Sequence, residues 1–144
     1  MRGRIHHLDL TVSDPEKARP LYELFLTHMG YREVDRKADG GTEWDMIGGS
    51  FMSVGIVKSR GPNARHGHDR YAPGLHHAAW TSPTREDVDA LFAKLQIFGA
   101  NILDPPQDYP EYNQGKGYYA VFFSDPDGLK LEYVFTPPSA EGPV

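Results

Sequence analysis

Two histidines in matching surroundings and one later glutamate are the residues of this chain best suited to chemistry. His7 lies in Ile5-His6-His7-Leu8-Asp9-Leu10-Thr11-Val12, and His77 lies in Leu75-His76-His77-Ala78-Ala79-Trp80-Thr81. Glu132 follows in Asp125-Pro126-Asp127-Gly128-Leu129-Lys130-Leu131-Glu132-Tyr133-Val134. Two imidazoles and a carboxylate gathered on one side of an ion leave its other positions to water or substrate, which is a catalytic arrangement. Nitrogen and oxygen donors of this kind suit one divalent ion per site, and Mn, Fe, Zn, Ni and Co all fit the donor types. The chain has no cysteine, so disulfides, a thiol nucleophile and zinc–thiolate sites are excluded.

Strand alternation selects which histidine of each pair faces a site. Along residues 5–12, His6, Leu8, Leu10 and Val12 share one face, while His7, Asp9 and Thr11 share the other. The apolar face packs on a helix, so His7 points to the opposite, polar side. The same reading places His77 with Ala79 and Thr81, and Glu132 opposite Leu131, Tyr133 and Phe135.

The elements that must position these residues occur twice. Asp14-Pro15 caps a helix whose stripe includes Leu21, Tyr22, Leu24, Phe25 and Met29 and stops at Gly30. Pro20 within it predicts a kink or the start of the main helix. Short strands follow near 31–36, 43–48 and 51–58, with Gly48-Gly49 as a turn. After a Gly-, Pro- and Arg-rich connection at 59–74, a strand at 75–81 leads to a helix opened by Ser82-Pro83-Thr84 and ended near Gly99. Strands near 101–103, 118–124 and 129–135 complete the second set, with a long loop at 104–117. An offset of 70 carries His7 onto His77, and an offset of 79 carries Gly49 onto Gly128 and Ser53 onto Glu132. The chain therefore reads as one α+β domain, residues 1–144, of two βαβββ modules at about 5–58 and 75–135 whose curved sheets form a cup.

Composition narrows the partners. With 144 residues, a formal net charge of −5 and no basic run, nucleic acid is not the expected partner. No apolar run reaches the roughly 18 residues of a membrane span, and no apolar signal segment follows Met1-Arg2-Gly3-Arg4, so the expectation is a cytoplasmic protein acting on a small molecule.

The motifs His7-x-x-x-x-Val12-x-Asp14, Leu21-Tyr22 before Gly30, Leu75-His76-His77-Ala78-Ala79-Trp80 and Asp125-Pro126-Asp127-Gly128-x-x-x-Glu132 resemble those of the vicinal oxygen chelate superfamily. That group includes glyoxalase I, fosfomycin-resistance proteins, extradiol dioxygenases and bleomycin-resistance proteins, and the likeness runs from about Ile5 to Phe135. The resemblance implies a divalent-metal enzyme, a lyase, transferase or hydrolase, acting on a substrate whose neighbouring oxygens chelate the ion. It carries the ligand positions onto His7, His77 and Glu132. It also implies a homodimer with sites shared between chains, since relatives with one module pair commonly join the first module of one chain to the second of another. The alternative it offers is a metal-free protein that sequesters an aromatic or antibiotic ligand, as bleomycin-resistance proteins do.

Departures from the relatives narrow the reaction. Glyoxalase I resembles this chain but takes a fourth ligand from the position matching Ser53, and a hydroxyl is a poor ligand, so three protein ligands are expected. Extradiol dioxygenases place a tyrosine at the position of Phe122 and a histidine near 113–115, where this chain has Asn113, Gln114 and Gly115. Without those groups ring cleavage lacks its proton handling. Fosfomycin-resistance proteins carry a threonine where Asp9 stands and a basic residue beyond the last strand, where Pro137-Pro138-Ser139-Ala140-Glu141 has none. Asp9, Ser53, Tyr118 and Phe122 are the expected substrate contacts, and Glu43 is a candidate general base. Tyr109, Tyr112, Tyr118 and Tyr119 are expected to cluster about the loop 108–117, as a lid or as a dimer contact.

Overall fold

A computed structural model describes residues 2–138. Ser139, Ala140 and Glu141, in the segment noted above for lacking a basic residue, lie outside them. The element order is β1 (His7–Val12), α1 (Pro15–His28), β2 (Tyr31–Arg36), β3 (Thr42–Met46), β4 (Ser53–Lys58), β5 (His77–Thr81), α2 (Arg85–Phe98), β6 (Asn101–Asp108), β7 (Tyr119–Ser124) and β8 (Lys130–Phe135). The chain divides into two compact units, one running to His68 with Pro126–Gly128, the other covering Asp69–Asp125 and the residues from Leu129.

In the first unit the sheet order is β1-β4-β3-β2, with β1 parallel to β4 and the remaining pairs antiparallel. Asp14 begins α1 by accepting hydrogen bonds from the backbone N–H groups of Glu16 and Lys17, with Pro15 at the first helical position. The buried stripe Leu21, Tyr22, Phe25 and Leu26 shares the core with Leu10, Val12, Trp44, Val54 and Ile56. The helix runs through Pro20 as one element rather than starting there. Pro20 is exposed, so water can serve the carbonyl that its missing N–H leaves unpaired.

The second unit repeats the order as β5-β8-β7-β6, again with its first strand parallel to its last. Thr84 caps α2 through Asp87 N–H, and Gly99, at φ 83°, ends it in the left-handed conformation. Val88, Leu91 and Leu95 share a core with Val121, Phe123, Leu131 and Tyr133. One boundary differs from expectation. β6 continues to Asp108 through Pro105-Pro106, a stretch predicted as loop. The prolines are tolerated because β6 is an edge strand and its pairing with β7 is irregular between Ile102 and Gln107.

Candidate metal centre

In the second unit the parallel β5–β8 register sets Ala79 beside Glu132, and the antiparallel β7–β8 register sets Phe122 on its other side. The Asp125-Pro126-Asp127-Gly128 turn delivers β8 into this register. Asp125 N–H donates to Leu129 O, Leu129 N–H donates to Asp125 Oδ1, and Gly128 adopts φ 88°. Glu132 is only 1% exposed, and each of its oxygens has a partner. Oε2 lies 3.1 Å from His77 Nε2, and Oε1 accepts a hydrogen bond from the Tyr118 hydroxyl. Burial, reinforced by that bond to a carboxylate, pushes the Tyr118 phenol well above its ordinary range, so the hydroxyl stays protonated and donating.

The pair fits a metal ion. Two donors bound at right angles, each about 2.1 Å from an ion, stand about 3.0 Å apart, close to the 3.1 Å between His77 Nε2 and Glu132 Oε2. His77 Nδ1 lies 2.7 Å from His76 Nδ1, which leaves Nε2 as the nitrogen turned to the carboxylate. A second contact of this kind fixes the ring of a ligand histidine. His76 is braced in turn by the edge of Tyr71, with ring centroids 5.6 Å apart. Strand alternation places His6 and His76 on the face opposite His7 and His77 but gives no sign of this contact, which arises just before each strand begins.

The first unit holds His7 in a related setting. His7 Nδ1 lies 3.0 Å from His6 Nδ1, and the His6 ring packs on Phe51 at 4.7 Å. His7 Nε2 lies 4.0 Å from Asp9 Oδ2, both side chains being about half exposed. Ser53 sits beside His7 across the parallel pair and donates its hydroxyl to Glu43 Oε1 at 3.0 Å. Trp44 is fully buried and donates Nε1–H to Glu23, so its strand neighbour Glu43 faces the opposite side, where Asp9, Glu43 and Gly55 line a cavity of about 80 Å³. Within one chain, the described residues gather no group of three or more His, Asp or Glu side chains able to hold an ion. The first unit sets His7 4.0 Å from Asp9, and the second sets His77 3.1 Å from Glu132.

The register corrects the predicted internal match. His7 pairs with Ser53, whereas His77 pairs with Lys130. The counterpart of Ser53 is therefore Lys130, and the counterpart of Glu132 is Gly55, which stands beside Asp9 as Glu132 stands beside Ala79. The position that repeats Glu132 in the first unit is thus a glycine rather than a serine. An offset of 79 aligns the glycine turns, but turn length does not fix strand register.

The tyrosines also divide differently from expectation. Tyr109 stacks on Tyr112 at 5.4 Å, both meet the Tyr118 ring edge-on, and Tyr109 also meets Phe122 at 5.5 Å. Phe122 in turn lies 6.4 Å from the His77 ring and under Lys130 Nζ at 4.3 Å. Tyr119 leaves this cluster. As the strand neighbour of Tyr118 it points the other way, donating to Asp89 at 2.6 Å with the Arg85 guanidinium 4.1 Å over its ring.

The profile of the Glyoxalase/Bleomycin resistance protein/Dioxygenase superfamily matches residues 4–133. The chain belongs to that superfamily. Uncharacterized protein YqjT of Bacillus subtilis (strain 168) is 35% identical over 130 residues, 90% of this chain and 97% of that protein. The crystal structure of a candidate glyoxalase from Bacillus halodurans superposes with a TM-score of 0.76 at 26% identity, covering 93% of this chain and 96% of the other. Lactoylglutathione lyase from Agrobacterium tumefaciens shares the fold, with a TM-score of 0.60 at 16% identity and coverage of 92% and 93%. The α+β fold of paired βαβββ motifs is that of the glyoxalase superfamily. Among the described residues no helix is long and apolar enough to cross a membrane.

Proposed function

We propose that this glyoxalase-superfamily protein is a divalent-metal-dependent enzyme acting on a small substrate with neighbouring oxygens. His7, His77 and Glu132 are its protein ligands, and each site is shared between two chains of a cytoplasmic homodimer. The observation that carries this reading is the buried Glu132 carboxylate, presented at 3.1 Å to His77 Nε2. A carboxylate this buried is rarely retained without a cation or hydrogen-bonding partners to offset its lost hydration. When bound, the ion would polarise a substrate oxygen or activate a water.

The remaining roles fall to the chain's own residues. Tyr118 holds Glu132 through Oε1, so its contribution to substrate comes through its ring, alongside Phe122. Ser53 and Glu43 form a hydroxyl–carboxylate pair on the His7 side, in which Glu43 can accept a proton from substrate or from Ser53. Asp9 adds negative charge on that side, which disfavours a phosphonate or other dianion there. The reaction class is that of a lyase, transferase or hydrolase rather than extradiol ring cleavage, since Phe122 has no hydroxyl to contribute. The aromatic cluster of Tyr109, Tyr112, Tyr118 and Phe122 also suits a metal-free protein that stacks a planar ligand, and metal analysis separates the two readings.

The test is elemental analysis of protein purified without an affinity tag, followed by mixing a His7→Ala chain with a Glu132→Ala chain. Shared sites predict about one intact site per mixed dimer and partial return of metal binding. No metal in the wild-type protein at stoichiometric supply overturns the enzyme reading. No return of binding after confirmed subunit exchange overturns the sharing.

A further inference from the structure

The two units differ in a reciprocal way at one pair of facing positions. In the second unit the last strand carries the carboxylate, Glu132, and the first strand carries a small residue beside it, Ala79. In the first unit the last strand carries the small residue, Gly55, and the first strand carries the carboxylate, Asp9. Asp9 uses the space that Gly55 leaves. A Cβ built on Gly55 would lie 2.4 Å from Asp9 Oδ1, so the carboxylate lies over the glycine, where a side chain from β4 would begin. Asp9 shares its strand face with His7, and its other oxygen is 4.0 Å from His7 Nε2. His7 with Asp9 is thus an imidazole Nε2 beside a carboxylate, as His77 is with Glu132. Glu43 flanks Gly55 from β3, but its Oε1 is engaged by Ser53.

We infer that Asp9 is a fourth metal ligand of this protein, supplying from the first strand the carboxylate that Gly55 cannot supply from the fourth. The inference rests on the reading that His7, His77 and Glu132 hold a divalent ion, and it changes what is left open on that ion. One more position belongs to the protein, and one fewer to water or substrate. With the His7 ring held at Nδ1 by His6, the half-exposed Asp9 side chain can change rotamer and close the 4.0 Å gap to the spacing seen between His77 and Glu132.

The full-length protein is titrated with Co²⁺ for affinity, and with Mn²⁺ for the water-proton relaxation enhancement per bound ion. Asp9→Asn keeps the size of the side chain and removes its charge. Gly55→Ala keeps Asp9 but places a methyl where its carboxylate lies. Both should lower Co²⁺ affinity at least about tenfold, the loss typical even of a residue that only supports a ligand. Asp9→Asn should also raise the Mn²⁺ relaxation enhancement, because a water takes the vacated position. A role confined to substrate binding or packing would not change the number of bound waters. The double variant Asp9→Ala with Gly55→Glu transfers the second unit's pattern onto the first, and return of Co²⁺ affinity in it supports the assignment. Wild-type affinity and relaxation in Asp9→Asn, with binding lost in Glu132→Gln, overturn the role of Asp9 and leave the three-ligand site standing. Failure of the wild-type protein to bind either ion overturns both.

Discussion

The two units place their carboxylates in opposite environments. Glu132 of the second is 1% exposed, held at one oxygen by Tyr118 and facing His77 with the other. Asp9 of the first has a side chain 58% exposed and approaches His7 no closer than 4.0 Å. The cause lies in the connection between one edge strand and its neighbour in each sheet, β2 to β3 and β6 to β7. β2 and β3 are joined by a tight turn closed by Lys37 N–H to Gly41 O, which brings no aromatic residue to the sheet face. β6 and β7 are joined by residues 109–118, whose three tyrosines pack as one group and put the Tyr118 hydroxyl on Glu132. One architecture thus yields a fixed carboxylate where a long aromatic loop covers the sheet face, and an adjustable one where no such loop does.

Removing the fixed carboxylate should have the largest effect. Glu132→Gln preserves the shape of the buried side chain but should weaken metal binding by about 100-fold or more, the upper end for disturbing a ligand's surroundings. Glu43→Gln in the first unit should leave the metal content unchanged. Equal losses in a metal titration of the two variants would erase the distinction between the units.

Tyr118→Phe sharpens the comparison by releasing Glu132 while keeping the ring. Metal affinity should fall about 10–100-fold. Tyr112→Phe, which alters a neighbour in the same aromatic group, should have no such effect. Isothermal titration of both variants decides whether the hydroxyl or the packing fixes the carboxylate.

The loop that distinguishes the second unit stores strain. Asn113 and Gln114 adopt φ 51° and 54°, where a residue other than glycine costs about 1–2 kcal/mol. Asn113 is compensated by its side-chain hydrogen bond to Gly117 O at 3.0 Å. Gln114→Gly should therefore stabilise the protein by about 0.5–1 kcal/mol in denaturant melts, after the added freedom of the unfolded glycine is subtracted. Destabilisation would show that the Gln114 side chain holds the loop in place.

The smallest effect concerns Tyr119, on the helix side of the same sheet. Its hydrogen bond to Asp89, aided by burial, pushes the phenol up to about 12. A raised folded-state value means that this bond stabilises the fold fully below the ordinary tyrosine range near 10, and that the contribution disappears as the pH rises through about 12. Thermal melts between pH 9 and 12 should show a shallower alkaline decline in Tyr119→Phe than in the wild-type protein. Parallel declines would assign the alkaline loss to other groups.

Much of this was legible in the residues themselves. The period-two alternation around His7 and His77 tells which imidazole shares its side with Asp9 or Glu132, and the capping residues Asp14 and Thr84 mark both helices, because these are local properties of the backbone. The side of the sheet on which Glu132 lies followed from the same rule. The match of Glu132 with Gly55 was not legible, because register depends on which backbone groups pair across strands rather than on the length of the turn between them. Nor was the course of β6 through Pro105-Pro106, which only its place at the sheet edge permits. The Tyr118–Glu132 bond and the shelter Gly55 gives to Asp9 join residues from different strands. The sequence determined the residues, their faces and the repeat. The tertiary structure decided which carboxylate is buried and fixed and which is left free, because burial and hydrogen bonding arise only when strands and loops pack together.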